Sequence, residues 1–219
     1  DKIVSGDVIV GFASAGQAAY ESEYNSGLGS NGLTSERHDV LEKYYATQYP
    51  ETFEPQLSDA VVYIGKNKMT EKISINGFGE LEVGKLLLSP TRTYAPLVKR
   101  LLDHHFDAIH GMIHCSGGGQ TKCMKYLPGT FKIIKDQLFE VPPIFNLIRD
   151  NSGADMREMY QVFNMGHRLE VFTPAAAAQS MIAIAAELGI EAKIVGRVEA
   201  AEKSSLHLHS SEGSIVYEY

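Results

Sequence analysis

The sequence predicts an α/β (α+β) fold in which a mixed β-sheet is covered by helices. Two patterns indicate this fold class: short apolar, β-branched runs alternate with stretches of helical periodicity, and glycine-bearing turns separate them. The chain has 219 residues, 44% of them hydrophobic, which is enough for one large domain or two small ones. No internal repeat or low-complexity linker divides the sequence.

The first third is predicted to hold a strand, a long loop, a helix and a hairpin. Residues 7–13 form a β-branched run typical of a buried strand, and a polar, glycine-rich loop follows to residue 32. Thr34 is predicted to cap a helix that runs through residue 49. Residues 60–64 and 72–75 are predicted to pair as an inserted hairpin.

The remaining elements alternate more regularly. In the middle of the chain we predict a helix over 90–105, a strand over 106–113, a helix start over 121–127, a strand over 130–138, and helices over 142–151 and 155–162. In the last part we predict a strand over 166–173, an Ala-rich helix over 174–188, a strand over 191–198, and a hairpin of 205–209 with 214–219.

Composition limits the function classes. Asp and Glu total 27 against 20 Lys and Arg, and no basic block stands out, so we expect no nucleic-acid partner. The longest apolar stretches are far shorter than the roughly 20 residues of a membrane-spanning helix. We therefore expect a soluble, cytoplasmic protein without a membrane partner. Cys115 and Cys123 do not form a CxxC pair and are expected to be free thiols.

The glycine triplet Gly117, Gly118 and Gly119 is the most informative motif. It follows His114 and Ser116 at the end of a predicted strand and precedes a predicted helix. Glycine allows close backbone approach, and a helix N-terminus carries partial positive charge, so such a turn suits an anion. The alternative is a tight connection that only requires positive φ angles.

Two other polar segments with glycine lie at ends of predicted strands. Their candidate residues are Ser14, Gly16, Ser30, Asn31, Gly32 and Asn164. If the strand ends converge, these segments and the glycine triplet form a cleft for a phosphorylated polar metabolite. The alternative is three unrelated turns.

Two side chains are candidates for chemistry. The ordinary pKa of His114 lies near neutrality, so it suits a general acid or base or a hydrogen-bond donor to substrate, unless it is structural. Arg92, beside Thr91 at a predicted helix start, suits phosphate or carboxylate binding, unless it forms a surface ion pair. No metal site is expected, because His207 and His209 lack a third ligand of suitable spacing.

Several motifs occur together in one order. They are GDVIVG at 6–11, SAG at 14–16, SNG at 30–32, SPTRTY at 89–94, HGM at 110–112, HCSGGG at 114–119, VPPIF at 141–145, EMY at 158–160 and FNMG at 163–166. Over residues 5 to about 200 this combination resembles the C-terminal domain of aminoimidazole ribonucleotide (AIR) synthetase, also called phosphoribosylformylglycinamidine cyclo-ligase.

The resemblance implies a three-layer domain over residues 1–202, with insertions at about 17–29 and 60–80 and a C-terminal hairpin extension at 203–219. It implies the ATP-dependent closure of the imidazole ring of formylglycinamidine ribonucleotide, which gives aminoimidazole ribonucleotide. In the family an N-terminal domain holds most of the ATP and Mg site and forms a homodimer. We expect that domain to be absent from this chain and the fragment alone to be inactive.

The resemblance also assigns roles to residues. His114 and Asn31 are expected to be catalytic. Substrate or phosphate contacts are expected from Ser14, Gly16, Ser30, Gly32, Thr91, Arg92, Ser116, Gly117, Gly118, Gly119 and Asn164.

This sequence departs from the family pattern in three places. Residues 17–29 separate SAG from SNG, and the usual His of that segment has no clear counterpart. The family's Asn and Arg after the triplet correspond roughly to Cys123 and Tyr126. Gly166 is followed by His167 and Arg168 instead of Ile and Gly.

Two other functions stay open. One is another ATP-using member of the same superfamily, resembling selenophosphate synthetase, thiamine-monophosphate kinase or the hydrogenase-maturation dehydratase. The chain lacks the terminal Cys of the last of these, and the FNMG and PTR-x-Y segments favour the cyclo-ligase. The other is a non-catalytic domain that binds a phosphorylated metabolite.

Overall fold

The computed structural model describes residues 2–30 and 32–219 of the chain. Its strands are β1 (Val8–Ala13), β2 (Lys72–Ile75), β3 (Gly79–Glu82), β4 (Gly111–His114), β5 (Phe131–Lys135), β6 (His167–Thr173), β7 (Ala192–Ala200), β8 (Ser205–Ser210) and β9 (Gly213–Glu218). Its α-helices are α1 (Leu33–Val40), α2 (Tyr44–Gln48), α3 (Val83–Leu87), α4 (Ala95–His105), α5 (Pro143–Ser152), α6 (Met156–Val162) and α7 (Ala175–Glu187). The predicted class, a mixed sheet covered by helices, is confirmed.

Seven strands form one sheet in the order β4-β6-β1-β7-β5-β8-β9. In this sheet β5 and β8 pair in parallel, and the other neighbouring strands are antiparallel. This pairing points β1, β4 and β5 in one direction. Their carboxyl ends therefore lie at the same end of the sheet as the start of β6, and the candidate site is built there.

The side chains of β1 alternate between two hydrophobic cores, as the pleat of a strand requires. Val10 and Phe12 belong to the core that includes residues of α4 and α7. Ile9 and Ala13 belong to the core that includes residues of α1, α5 and α6. The sheet is therefore the middle of three layers.

The predicted strand over residues 60–64 is wrong. This segment forms turns, and the observed hairpin pairs β2 with β3. Tyr63 has a φ of 49°, which is outside the strand region. The Tyr63 N–H donates to His38 Nδ1 (3.4 Å) and the Ile64 N–H to His38 O (2.7 Å). The apolar residues of this segment are used for packing on α1, so they do not pair as a strand.

The predicted helix over 34–49 is interrupted. It divides into α1 and α2 because Leu41 and Glu42 bridge to Asn67 and Gly65 instead of continuing the helix. The first helix begins after Gly32 rather than at Thr34, which was predicted as the cap.

Three other predicted elements have shifted bounds. The helix predicted from residue 90 begins at Ala95, with Pro96 in its first turn. The strand predicted over 106–113 is shorter, since a 3-10 helix at Phe106–Ala108 precedes β4. The helix start predicted over 121–127 is a 3-10 helix at Gly119–Tyr126. The terminal hairpin, formed by β8 and β9, agrees with the prediction.

Two further findings bear on the expectations from composition. Both Cys115 and Cys123 are buried free thiols, as predicted. Among the residues that the structure describes, no helix combines the length and apolar character needed to cross a membrane.

Candidate functional site

The three glycine-bearing segments meet at the carboxyl ends of β1 and β4. Ser14 Oγ donates a hydrogen bond to Asn164 Oδ1 (2.6 Å), and Asn164 Nδ2 donates to Gly27 O (2.9 Å). Gly119 packs so closely on Phe163 that a Cβ at position 119 would overlap the Phe163 carbonyl oxygen. The segments at three strand ends are therefore in contact.

Ser14 and Asn164 form the buried centre of this contact. Both side chains are buried, and Asn164 Oδ1 also accepts from the Gly166 N–H (3.1 Å). Because their polar atoms are satisfied within the protein, these two residues shape the loops instead of facing the solvent.

Gly16 and Ser30 lie at opposite ends of the loop between β1 and α1. Gly16 has a φ of 97° and exchanges two backbone hydrogen bonds with Asn25 (3.0 and 2.8 Å). Ser30 is exposed; its N–H donates to Thr91 Oγ1 (2.9 Å), and its own Oγ lies 3.2 Å from the same atom. The structure thus brings Ser30 and Thr91 together. Asn31, predicted to be catalytic, lies outside the described residues.

Arg92, a candidate for phosphate or carboxylate binding, forms an ion pair inside the protein. Its guanidinium is buried, and its Nε and Nη2 donate to the two carboxylate oxygens of Glu21 (2.8 and 2.7 Å). Its Nη1 donates to the carbonyls of Ala13 and Ala15 (2.9 and 3.1 Å). Since this bidentate ion pair and the two carbonyls occupy the guanidinium, phosphate binding by Arg92 does not fit the geometry. Arg92 fixes the end of β1 instead.

The glycine turn leaves two amides open. Gly118 and Gly119 have φ values of 97° and 46°, which glycine adopts without strain. The Gly119 N–H donates to Ser116 O (3.0 Å), but within the described chain the N–H groups of Gly117 and Gly118 donate to no protein group. Gly117 is exposed, and a Cβ there would meet nothing within 4 Å. The turn therefore offers two adjacent donors to an anion.

His114 and Lys122 flank the turn. The His114 ring is partly exposed and meets the Tyr94 ring edge-on, with 6.2 Å between centroids. Lys122 Nζ donates to Ser116 Oγ (2.5 Å). Desolvation lowers the pKa of His114 below its usual value, and the positive charges of Arg168 and Lys122 lower it further. The imidazole is therefore mainly neutral at pH 7.

An open cleft of about 1280 Å³ lies beside the turn. Gly117 and Gly118 line one side, Gly32 and the first turn of α1 line another, and residues of α6 line a third. Lys125 and Arg157 contribute positive charge to its walls, and Asp39, Asp155 and Glu158 contribute negative charge. This volume accommodates a nucleotide-sized ligand. The cleft brings predicted residues from two segments together, whereas His114 and Ser116 do not line it.

A buried ionic cluster beneath the turn was missed by sequence reasoning. Lys135 Nζ donates to Glu170 Oε1 (2.5 Å) and to O and Oε1 of Gln120 (2.8 and 3.0 Å). His167 Nε2 lies 2.8 Å from Glu170 Oε1. Burial alone would raise the pKa of Glu170, but Lys135 and His167 outweigh it and lower that pKa to about 2. Glu170 is therefore ionised and Lys135 has its counter-charge.

Gln120 connects this cluster to the loops. Its Nε2 donates to Asn164 O (2.5 Å) and His167 O (3.0 Å), while its two oxygens accept from Lys135. The residue that directly follows the glycine triplet thus binds both the sheet and the segment 163–166. The available sequence signal was a lysine at the end of β5 and a glutamate in the middle of β6, since a buried charge requires a partner.

Arg168 is a further buried cation at this end of the sheet. Its side chain lies in the interior, and Nη2 donates to Gly27 O (2.7 Å) and Leu28 O. Gly29 passes directly over the guanidinium, where a Cβ would overlap it. The sequence marked Arg168 only as a departure from the family pattern; the structure places it beneath the loop that leads to α1.

Comparison with known proteins identifies relatives of this chain. The family described as AIR synthase related protein, C-terminal domain, matches residues 4–209. A phosphoribosylformylglycinamidine cyclo-ligase of Symbiobacterium thermophilum is 33% identical over 204 residues, which cover 92% of this chain and 48% of that protein. The protein of the same name from Methanopyrus kandleri is 29% identical over 213 residues, covering 97% and 49%. The chain spans about half the length of these curated relatives.

Solved structures show weaker similarity. PurLQS from Thermotoga maritima matches with a TM-score of 0.49 and 13% identity, covering all of this chain (100%) and 26% of that chain. Escherichia coli HypE, described as a hydrogenase maturation protein, matches with a TM-score of 0.48 and 15% identity, covering 99% and 50%. Similarity at this level does not inform function.

Proposed function

The chain belongs to the family of AIR synthase related proteins, C-terminal domain, and on this premise we propose that it is the C-terminal part of an ATP-dependent cyclo-ligase. The enzyme closes the imidazole ring of formylglycinamidine ribonucleotide to give aminoimidazole ribonucleotide. Relatives named as this cyclo-ligase support the proposal. The structural observation that carries it is the pair of amides at Gly117 and Gly118, which donate to no protein group within residues 2–30 and 32–219 and lie in the turn that follows His114 in the sequence.

We assign the glycine turn to a phosphate or phosphoryl group. The two open amides supply donors, and Lys122 and Lys125 supply nearby positive charge. Gly32 faces the same cleft, so the entry to α1 lies within reach of the same ligand. The exposed pair of Ser30 and Thr91 suits hydrogen bonding to the polar parts of a ribonucleotide.

We propose that His114 is the proton acceptor in the reaction. In ring closure the formyl oxygen takes the γ-phosphoryl group of ATP, a nitrogen on the amidine side attacks the activated carbon, and phosphate leaves with that oxygen while the nitrogen loses a proton. Because the lowered pKa of His114 keeps the imidazole neutral, it accepts this proton as a general base. The amides of Gly117 and Gly118 stabilise charge on the phosphoryl oxygens. Asn31 remains the second catalytic residue that we propose.

The described residues suit a phosphate group of ATP better than they suit a Mg ion. The open amides at the turn fit a phosphate group. The described residues contain no group of three His, Cys, Asp or Glu placed to hold a metal ion, so we derive no step through Mg. We propose that the region of the relatives that this chain does not match supplies the metal site, most ATP contacts and the homodimer contact, and that the enzyme works in the cytoplasm.

The test is ATP-dependent formation of aminoimidazole ribonucleotide by the full-length gene product. We expect turnover in the parent and a loss of about 100-fold or more in kcat for His114→Ala, because a general base contributes that much. Asn31→Ala is expected to lose activity as well. His104→Ala is the matched control, since His104 is exposed on α4 and is expected to leave turnover unchanged.

The outcomes separate the candidate functions. Normal turnover in His114→Ala and Asn31→Ala would overturn the site assignment. No turnover in the parent would overturn the cyclo-ligase itself and favour another ATP-using reaction of the superfamily or non-catalytic metabolite binding.

A further inference from the structure

We infer that Arg168 supplies the unbalanced positive charge that draws a phosphate-bearing ligand to the glycine turn. This inference rests on the proposed function, because it concerns the same phosphate. It adds a residue that does not face solvent and would not be found among the direct ligand contacts.

The first step is that Arg168 lacks a counter-ion. Two other buried cations have one: Lys135 lies 2.5 Å from Glu170, and Arg92 lies 2.7 Å from Glu21. Within residues 2–30 and 32–219 no carboxylate lies within 4.0 Å of the Arg168 guanidinium. Its identified acceptors are backbone carbonyls, which are neutral.

The second step is that Glu36, a carboxyl group whose charge would act on Arg168, is mainly uncharged at neutral pH. Burial raises the pKa of Glu36 to about 8, although the positive charge of Arg168 opposes this. Glu36 Oε2 has no hydrogen-bond partner among the described residues. At pH 7 this carboxyl group is mainly protonated, so Arg168 stays uncompensated.

The third step is position. The Cys115 N–H donates to Arg168 O (2.5 Å), and His114 pairs with Leu169 where β4 meets β6. Arg168 therefore sits on the strand beside the residues that open the glycine turn. Lys122 lies on the turn itself, bonded to Ser116. The positive charges of Arg168 and Lys122 both act on His114, the residue that opens the turn, and lower its pKa.

An uncompensated buried cation is costly, since the desolvation of the ion is not repaid by a nearby opposite charge. A phosphate dianion at the turn would supply that charge without displacing a protein partner. Arg168 acts through the electric field at the turn and not through contact, because its side chain is only 1% exposed.

The experiment titrates inorganic phosphate into the 219-residue chain and follows the amide NMR signals of Gly117 and Gly118. We expect both signals to shift in the parent and the Kd to rise about tenfold in Arg168→Met, because the positive charge is lost. Arg168→Lys keeps the charge and is expected to stay within about threefold of the parent. Arg100→Met is the matched control, because it removes one positive charge from an exposed site on α4.

A second measurement needs no change at Arg168. Ionisation of Glu36 above pH 8 gives Arg168 a negative neighbour, so phosphate binding is expected to weaken from pH 7.5 to 9 in the parent but not in Glu36→Gln. Burial raises the pKa of both Tyr94 and Cys115, which also influence Arg168, so these groups stay neutral over this range. Arg92 stays cationic, and His114 is already neutral.

The pKa of His114 provides a third readout. It is expected to rise in Arg168→Met, whereas a merely structural role for Arg168 would not move it.

Three results would overturn the inference: no response of Gly117 and Gly118 to phosphate in the parent, an unchanged Kd in Arg168→Met, or an equal loss in Arg168→Lys and Arg168→Met. None of these depends on turnover. A chain that binds phosphate as expected while the full-length protein makes no product would count against the cyclo-ligase and leave the role of Arg168 intact.

Discussion

Lys135 and Arg168 are both buried cations beneath the same loops, but their surroundings differ. Lys135 Nζ has three acceptors within 3.0 Å, and one of them is the ionised carboxylate of Glu170. Arg168 bonds the carbonyls of Gly27 and Leu28, and within the described chain it has no carboxylate within 4.0 Å. The first cation is neutralised inside the protein, whereas the second is left with its charge.

The difference shows how burial alone misleads about function. A buried charge with a partner serves the fold, and removing the partner is what becomes costly. A buried charge without a partner destabilises the fold, so a binding role explains its presence better than a structural one. Lys135 and Arg168 are both buried, and they differ in whether a carboxylate lies beside the cation.

The largest effect is expected from removing the counter-charge of Lys135. Glu170→Gln keeps the shape of the side chain but leaves a buried ammonium without a carboxylate, which is expected to cost about 3–5 kcal/mol of unfolding free energy. Urea unfolding at pH 7 measures this loss. Glu199→Gln, which removes an exposed partner of Arg197, is the control and is expected to change stability by less than about 0.5 kcal/mol.

The same pair predicts an acid dependence. The pKa of Glu170 is about 2 in the folded protein against an ordinary 4.5, so its stabilising contribution is complete above pH 4.5 and is lost as the pH falls towards 2. Unfolding of the parent and of Glu170→Gln across this range is the measurement. An identical acid dependence in the two proteins would contradict the assignment.

A double variant tests whether the cost is one of charge. Lys135→Met combined with Glu170→Leu removes both ions and is expected to cost less than Glu170→Gln alone, because no uncompensated charge remains. If the double variant is the less stable of the two in urea, the hydrogen bonds from Lys135 to Gln120 matter more than the ion pair.

A smaller effect of opposite sign is expected on the Arg168 side. Because the pKa of Glu36 is raised to about 8, its protonated form stabilises the protein below pH 4.5, and this contribution is lost as the pH rises through 8. Glu36→Gln is therefore expected to stabilise the chain at pH 8 and to gain little near pH 5. Urea unfolding between pH 5 and 8.5 measures it, and a gain independent of pH would be the contrary result.

The smallest effect is expected at the third buried cation. Glu21→Gln removes the charge of a carboxylate that, unlike Glu170, is partly exposed, and it leaves the carbonyls of Ala13 and Ala15 as acceptors, so a loss of about 1 kcal/mol is expected. Thermal unfolding is a sufficient measurement. A loss as large as that of Glu170→Gln would show that Arg92 depends on its ion pair as strongly as Lys135 does.

Much of the fold could be predicted from local pattern. The strand at 7–13 and the Ala-rich helix at 174–188 have the periodicity and bounding residues that define such elements. The prediction of a strand over residues 60–64 was wrong because an apolar run does not reveal whether it packs on a strand or on a helix. Its partner is α1, through His38.

The candidate site was predictable only in part, since its essential contacts are not local. The three glycine-bearing segments could be expected to meet, because each lies at the end of a predicted strand. The contact between Lys135 and Glu170 could not be predicted, because it depends on the strand order of the sheet. In that order β7 and β1 lie between β5 and β6. The Arg92 pair likewise joins residues 71 positions apart. Whether a cation is paired therefore follows from strand order and not from sequence spacing.

The chain of hydrogen bonds through Gln120 has a mechanical consequence. It runs from Glu170 and Lys135 through Gln120 to Asn164, and from there to Ser14, without a gap. We expect three loops joined in this way to move together, because a satisfied hydrogen-bond network is rigid. A change in the width of the cleft on ligand entry or product release is then expected from α1 or α6, which line its other sides, and not from the joined loops.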